Sequence, residues 1–282
     1  MIITTLVENT QENSSSDLSA EHGLSLHLSC NNKAILFDTG ASEAFSRNAN
    51  KLGIDLGAVD AVVLSHHHYD HGGGLRRFLA LNQRANIYLK APPDGEPYFK
   101  ARLLPKRYIG LDRELLTTYP KRFVLVDRLT EILPDVYILT DIGAAYPKPK
   151  GNTYLYVKGR TRWSLDTFAH ELTMAIRDND EMVIMTGCAH NGVLNMIDTV
   201  ERQFSGIPIK AVVGGFHLIG LPKTKAAADS ESEIQRIAHK ILTYSIRQVY
   251  TGHCTGQQAY GVLKSVLGER LHHLHTGAVL EL

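Results

Sequence analysis

Four segments of this chain that are patterned as strands stop abruptly at a polar turn that carries a histidine. In order, the segments and their histidines are 61–65 with His66, 182–187 with His190, 211–216 with His217, and 248–252 with His253. Continuous apolar runs of this length are typical of strands buried on both faces, and helical patterns alternate with them. The pattern predicts an α/β fold with both sheet faces covered. Because the carboxyl ends of parallel strands share one edge, we expect the histidines to meet there.

The composition excludes several classes of protein. Thirty Lys and Arg nearly balance 29 Asp and Glu, and 44% of the 282 residues are hydrophobic. A net charge of +1 argues against non-specific nucleic-acid binding, and no apolar run reaches the roughly 18 residues of a membrane helix. Three cysteines suit a reducing compartment, and the first residues lack the pattern of a signal peptide. We therefore expect a cytoplasmic protein without nucleic-acid or membrane partners.

The densest polar cluster follows the first apolar segment and reads His66-His67-His68-Tyr69-Asp70-His71-Gly72-Gly73-Gly74. Imidazole and carboxylate groups are good ligands for zinc, iron and manganese. His66 and His68 alternate, so in an extended turn both face one ion, whereas Asp70 and His71 follow a bend and can face a second. His67 should point away from both. The cluster predicts a site for one or two divalent ions.

This string resembles the H-x-H-x-D-H signature of the metallo-β-lactamase superfamily. The upstream segment LFDTG also resembles the superfamily's second strand and its turn. The segments AEHGLSL, TGCAHNGVLN, GGFHL and TGHCTG narrow the resemblance to the subgroup similar to 7,8-dihydropterin-6-yl-methyl-4-(β-D-ribofuranosyl)aminobenzene 5'-phosphate synthase. They extend it from Leu6 to Thr276. The resemblance implies an αββα sandwich, and we expect residues 1–282 to form one domain of this type.

The resemblance also implies a ligand set. It assigns His66 and His68 to a first ion, which His190 would complete. It assigns Asp70 and His71 to a second ion, with His253 as the last histidine ligand. Asp38, in the LFDTG segment, would support the metal-binding loop. We expect zinc, with iron and manganese as the alternatives.

Cys188 departs from the superfamily pattern. Many members have an aspartate that bridges both ions after a Gly at the end of an apolar strand, and here Gly187-Cys188 stands in that place. Either the thiolate is an extra ligand, or the bridge is missing and the site holds a single ion.

Three further features concern the substrate. His217 is a candidate catalytic residue that relays a proton, with a structural imidazole as the alternative, and His22 is a candidate substrate-binding residue. Residues from about 92 to 122 mix prolines, tyrosines and bases without a clear period, which predicts an insertion over the mouth of the active site. Its charges form either a solvated face or a lid that binds phosphate or carboxylate while aromatic rings stack on the substrate. Arg107 and Tyr108 are its candidate contacts. His170 and the remaining histidines are expected to be hydrogen-bonding loop residues.

The main functional hypothesis is a metal-dependent hydrolase acting on a small phosphate- or carboxylate-bearing molecule. A metal-activated hydroxide would attack, with Asp70 as ligand and catalytic residue. The first alternative is a pterin-dependent synthase, a transferase that displaces pyrophosphate. The second is a non-catalytic metal- or ligand-binding protein whose site is closed.

Overall fold

The computed structural model describes residues 1–12, 17–102, 104–221 and 226–282. Within these ranges the strands form two seven-stranded sheets and one four-stranded sheet. In spatial order the first sheet consists of β18 (Val279–Glu281), β1 (Ile2–Val7), β2 (Ser25–Cys30), β3 (Lys33–Phe37), β4 (Ala61–Val63), β5 (Asn86–Leu89) and β8 (Phe123–Leu125). The strands β3, β4, β5 and β8 run parallel, and the other neighbouring pairs are antiparallel.

The second large sheet is built in the same way from the other half of the chain. In spatial order it consists of β17 (Leu271–His273), β16 (Gln248–Thr251), β15 (Ile209–Gly214), β14 (Glu181–Met185), β13 (Thr173–Asp178), β10 (Val136–Leu139) and β9 (Thr130–Leu133). The strands β14 to β17 run parallel, so the segments that precede His190, His217 and His253 end at one edge, as expected from their apolar runs.

Seven α-helices are assigned in the described ranges. They are α1 (Ala44–Lys51), α2 (Tyr69–Gly72), α3 (Leu75–Leu81), α4 (Glu114–Thr118), α5 (Val193–Gln203), α6 (Glu231–Thr243) and α7 (Gln257–Leu267). None of them is both long and apolar enough to cross a membrane. The helices α1 and α3 pack on the first sheet, and α5, α6 and α7 pack on the second.

The core between the two sheets explains why the central strands are apolar throughout. In β14, Val183 and Met185 lie in the cluster shared with the first sheet, whereas Ile184 lies in the cluster shared with the helices. Successive side chains of a strand point to opposite faces, so a strand covered on both faces needs apolar residues at every position. The result is the αββα sandwich that the resemblance implied.

The small third sheet was not expected from the sequence. In spatial order it consists of β12 (Trp163–Leu165), β11 (Leu155–Lys158), β6 (Glu96–Phe99) and β7 (Arg107–Tyr108). Part of the segment expected to be an irregular insertion therefore pairs with residues some sixty positions further along the chain. One face of this sheet contributes Phe99 and Leu155 to an apolar cluster with Ile109 and Phe168, against which Tyr69 packs.

Candidate metal centre

The turns after β3, β4, β14, β15 and β16 converge at one edge of the two large sheets. Several residues in these turns adopt the left-handed backbone conformation without being glycine. They are Asp38 (φ 59°), Ala189 (φ 55°), His217 (φ 48°) and His253 (φ 49°). This conformation costs free energy for a residue with a Cβ and is commonest at functional sites. The sharp bends direct neighbouring side chains into one buried cluster.

The first group of ligand atoms belongs to His66, His68 and His190, and these atoms lie within 4.8 Å of one another. His66 Nε2 is 3.1 Å from His68 Nδ1. Among the residues that the structure describes, His68 Nε2 and His190 Nε2 are buried nitrogens without a hydrogen-bond partner. Such orphaned atoms are rare in proteins. A divalent cation between the three rings would satisfy them.

Burial keeps the imidazoles of this first group in the form that binds metals. It lowers the pKa of His66 and His190 well below the usual value and that of His68 to about 3. The rings are therefore neutral at pH 7, and neutral imidazole is the metal-binding form.

A second group consists of Asp70, His253 and His22, whose ligand atoms also lie within 4.8 Å of one another. Asp70 Oδ2 is 3.2 Å from His22 Nε2 and 3.5 Å from His253 Nε2. His71 Nε2 adjoins the group, at 3.1 Å from His253 Nε2 and 3.9 Å from Asp70 Oδ2. Burial would raise the pKa of Asp70, but His71, His22 and His253 outweigh it and hold the pKa well below the usual value. The group thus combines an anionic oxygen with imidazoles.

Cys188 lies between the two groups. Its Sγ is 3.2 Å from His71 Nε2, and its sulfur also belongs to close groups with His66, with His190 and His217, and with His253. Burial raises the pKa of this thiol well above the usual value, so the metal-free protein holds it protonated. A cation bound beside it would deprotonate it. The structure thus places the Cys188 sulfur close to both groups of candidate ligands.

Asp38 fixes the loop that follows β4. Its Oδ1 accepts from the Ser65 backbone N–H at 2.8 Å, and its Oδ2 accepts from Ser65 Oγ at 2.7 Å. Asp38 Oδ2 is also 2.7 Å from His71 Nδ1. Burial would lower the pKa of His71, but Asp38 and Asp70 outweigh it and raise the pKa. With Nδ1 donating to Asp38, the other ring nitrogen of His71 is left facing the cluster.

The remaining predicted residues fall into two sets. His217 lies in the cluster, with its ring centroid 4.1 Å from that of His190, and Arg107 lies at the edge, where Nη2 donates to Tyr69 Oη at 2.6 Å. The structure does not bring Tyr108 to the cluster, because its ring is 41% exposed and its hydroxyl donates to the Leu111 carbonyl at 2.7 Å. His67 is buried and points away, with Nε2 2.8 Å from the Lys90 carbonyl.

Sequence reasoning missed several residues that contact the candidate ligands. Asn152 Oδ1 is 2.9 Å from His190 Nδ1, and Glu171 accepts from the His190 backbone N–H at 2.7 Å. His170, which was expected to be a hydrogen-bonding loop residue, lies in a turn and forms hydrogen bonds with the His67 N–H and with Asp166; its burial beside the ring of His66 was not expected. Phe168 stacks on His190. Phe168, His170 and Glu171 are close to each other in the chain, but they are distant in sequence from Asn152 and from the candidate ligands, so no local motif links them to the site.

Comparison with known proteins identifies the class. The model of the metallo-β-lactamase superfamily matches residues 30–127. A solved structure of a metal-dependent hydrolase of the β-lactamase superfamily is 30% identical to this chain, with a TM-score of 0.80 over 100% of this chain and 99% of that one. The chain therefore belongs to the metallo-β-lactamase superfamily, and its αββα sandwich is of that type.

Within the superfamily, the comparison also finds the similarity to a pterin synthase that the sequence motifs indicated. The chain is 29% identical, over 93% of its length and 90% of the relative's, to the 7,8-dihydropterin-6-methyl-4-(β-D-ribofuranosyl)-aminobenzene-5'-phosphate synthase of Methanocaldococcus jannaschii. The Zn²⁺-bound PqqB of Methylobacterium extorquens shares the fold, with 11% identity, a TM-score of 0.58 and complete coverage of both chains.

Proposed function

We propose that this protein is a metal-dependent hydrolase of a small molecule that carries a phosphate or a carboxylate. The observation that carries the proposal is the pair of orphaned, buried nitrogens, His68 Nε2 and His190 Nε2, on two of the three histidines whose ligand atoms lie within 4.8 Å of one another. Three buried imidazoles, two of which keep a ring nitrogen without a hydrogen-bond partner among the described residues, are a suitable donor set for a divalent cation. The adjacent carboxylate of Asp70 and the imidazoles around it would supply ligands for a second cation. Nitrogen and sulfur donors together favour zinc over manganese.

When bound, a divalent cation makes water acidic and polarises a carbonyl or phosphoryl oxygen. The protein's own groups would do the rest. Asp70 would hold and orient the attacking water through its buried, anionic carboxylate. His217, whose ring centroid lies 4.1 Å from that of His190, would relay a proton from the reacting water to the leaving group.

Arg107 supports an anionic substrate. Its guanidinium lies 4.8 Å above the centre of the Tyr69 ring, and Tyr69 is the neighbour of Asp70. Arg107 therefore places a positive charge at the edge of the cluster, where the planar guanidinium suits a phosphate or a carboxylate. His22 contacts Asp70, and its side chain is 56% exposed, so it is accessible to a substrate that enters from solvent. We propose that the third sheet acts as a lid through Arg107, and that the chain works as a single domain.

The test combines metal analysis with a panel of phosphodiester, lactone and thioester substrates. We expect one or two equivalents of zinc in protein prepared without added metal. Asp70→Asn should lower kcat by at least a hundredfold and reduce the metal content, whereas Asp112→Asn, an exposed carboxylate that pairs with Arg76, should change neither. Full activity of a metal-free preparation would contradict the proposal. A bound metal without hydrolysis of any substrate would favour a binding protein.

A second candidate function is a pterin-dependent synthase, and the observation that favours it is the similarity to the Methanocaldococcus jannaschii enzyme. In that case the centre would activate a pyrophosphate leaving group. A pterin pyrophosphate offered with and without an aminobenzene partner distinguishes the two functions. Product formation that requires the partner favours the synthase, and release of pyrophosphate without it favours the hydrolase.

A further inference from the structure

One short buried turn contacts both loops that carry the first group of candidate ligands. Residues 166–171, called the 166–171 turn below, connect β12 of the small sheet with β13 of the second large sheet. Four of its side chains, those of Asp166, Phe168, His170 and Glu171, are buried. The loop that bears His66 and His68 follows β4 in one sheet, and the loop that bears His190 follows β14 in the other. The separation of these ligands therefore depends on what connects the two loops.

On one side of the turn, His170 supports the loop that bears His66 and His68. The His67 backbone N–H donates to His170 Nδ1 at 3.3 Å. Because Nδ1 accepts, the ring proton resides on Nε2, which lies 3.1 Å from Asp166 Oδ2 and donates to it. Both nitrogens of His170 are thus engaged, although its ring centroid is only 6.3 Å from that of His66. His170 is for this reason a support of the loop and not a metal ligand.

On the other side, Glu171 and Phe168 support the loop that bears His190. The two carboxylate oxygens of Glu171 accept from the backbone N–H groups of His190 and Asn191, each at 2.7 Å. Asn191 Nδ2 adds a third donor at 2.8 Å. The Phe168 ring lies flat on the His190 ring, with a centroid separation of 4.0 Å and an angle of 8°. These contacts fix both the backbone and the ring plane of His190.

The turn holds its own shape through Asp166. Its Oδ1 accepts from the Phe168 backbone N–H at 2.8 Å, while its Oδ2 accepts from His170. Phe168 has a left-handed backbone (φ 57°), a conformation that persists only when its surroundings impose it. Next to the turn, the Leu172 N–H donates to the Ser65 carbonyl at 2.9 Å. One carboxylate thus orients both the stacking ring and the supporting imidazole.

We propose that the 166–171 turn is the positioning element that sets the distance and orientation between His190 and the pair His66 and His68. Asp166, His170 and Glu171 are then positioning residues that act through the ligands. The inference rests on the proposed metal site. Outer partners of metal ligands typically change metal affinity by about 10–100-fold when they are replaced, and a turn that supports both loops should lie within that range.

The test is a cobalt(II) titration of the full chain, followed by visible absorption and by competition with zinc. Asp166→Asn and Glu171→Gln keep the shape of the side chain but replace one accepting oxygen by a donor that faces an existing N–H group. We expect each to weaken cobalt binding about tenfold or more and to change the visible band. His170→Ala should have the same effect, and His170→Gln, which keeps an acceptor and a donor, should restore part of it.

The matched control is Asp198→Asn. Asp198 is a largely buried carboxylate on α5 that pairs with Arg202 at 3.0 Å, so it reports the general cost of losing such a charge. We expect it to leave the cobalt band unchanged even where it lowers the melting temperature. Phe168→Leu keeps every hydrogen bond of the turn and serves where a polar variant does not fold. It should alter the band through the ligand rings that Phe168 contacts, those of His190 and His68.

Three outcomes decide the inference. If the wild type binds cobalt and the turn variants bind it with the same affinity and band, the positioning role is overturned while the metal site stands. If Asp198→Asn changes the band as much as the turn variants do, the effect is general destabilisation and the inference is again overturned. If the wild type binds neither cobalt nor zinc, the proposed function fails, and the inference fails with it.

Discussion

Gly187 is placed where any side chain would collide with the metal-binding loop. A Cβ at this position would lie 2.1 Å from Ser65 Oγ and 3.2 Å from His66 Nδ1. Ser65 is fully buried and donates a hydrogen bond to Asp38, so its side chain cannot move away from the added Cβ. We expect Gly187→Ala to lower the free energy of unfolding by about 1–3 kcal/mol, the usual cost of overpacking, and to reduce the metal content. Urea denaturation and metal analysis measure the two effects.

The control for this substitution is Gly261→Ala in the exposed part of α7. A Cβ there would meet no described atom within 4 Å, and alanine is favoured over glycine inside a helix by about 0.5–1 kcal/mol. The control should therefore be slightly more stable than the wild type and should hold the same amount of metal. Equal stability and equal metal content for wild type and Gly187→Ala would show that the loop tolerates the extra atom.

Asp38→Asn tests the carboxylate that supports the loop. In the wild type, one carboxylate oxygen of Asp38 accepts from the Ser65 N–H and the other accepts from His71 Nδ1. Asparagine has only one accepting oxygen, so it cannot accept both hydrogen bonds. One buried donor is then left without a partner, which costs about 1–3 kcal/mol. We expect a lower denaturation midpoint and weaker binding of the ion nearest His71. Metal titration of the variant gives the second result, and an unchanged affinity would mean that Asp38 does not orient His71.

The contrast between predicted and missed residues has a physical cause. His66, His68, Asp70 and His71 are close in the chain, and their spacing alone indicates which side chains can face one ion. Glu171 and His190 are separated in the chain by two strands and the turn between them, and only the folded structure brings them into contact. The sequence around either residue therefore gives no indication of the other. Residues that bind metals could therefore be proposed from the sequence, whereas those that hold the ligands in place could not.

Among the secondary structure elements, too, some could be predicted from the sequence and others could not. The central strands were predictable because burial on both faces demands an uninterrupted apolar run. The third sheet was not, because its strands span only two to four residues and mix polar and apolar side chains. Its pairing also joins distant positions, such as Tyr98 with Tyr156. A short strand that is stabilised by a distant partner leaves no periodic pattern of its own.

The N-terminus of α6 supports a prediction about pH. The Glu233 carboxylate accepts from the Ser230 backbone N–H at 2.8 Å and from its hydroxyl at 2.7 Å, and Lys150 Nζ lies 2.7 Å away. The hydrogen bonds from Lys150 and Ser230 lower the pKa of Glu233 to about 2. A lowered carboxyl pKa contributes stability above the ordinary pKa of 4.5, and this contribution is lost as the pH falls towards 2.

We therefore expect Glu233→Gln to melt at a lower temperature than the wild type at pH 7. The difference between the two should shrink as the pH is lowered from about 4.5 towards 2, where the wild-type carboxylate takes up a proton. Thermal melts followed by circular dichroism at pH 7, 4.5 and 3 measure it. Glu231→Gln, in the same turn, is the matched control and should show a smaller difference at pH 7. A difference for Glu233→Gln that stays constant with pH would contradict the assignment.

At the scale of the whole molecule, the candidate centre joins the two halves of the chain. His66, His68, Asp70 and His71 come from the first sheet, and Cys188, His190 and His253 come from the second. Other connections also run between the halves. The last strand, β18, pairs with β1, and the Glu8 carboxylate accepts from the His253 backbone N–H. Without a cation, the buried histidines at this junction keep orphaned nitrogens, so the junction should be the weakest part of the core.

Metal binding should consequently stabilise the whole sandwich and not one half of it. A ligand that binds only the folded state adds RT ln(1 + [L]/Kd), about 4 kcal/mol at a thousandfold excess over Kd. We expect the melting temperature to fall when a chelator is added and to rise again with zinc, in one cooperative transition for both sheets. His190→Ala should flatten this dependence, and His239→Ala, on the outer helix α6, should keep it. Calorimetry measures the transition, and an identical melting curve with and without chelator would refute a cation at this junction.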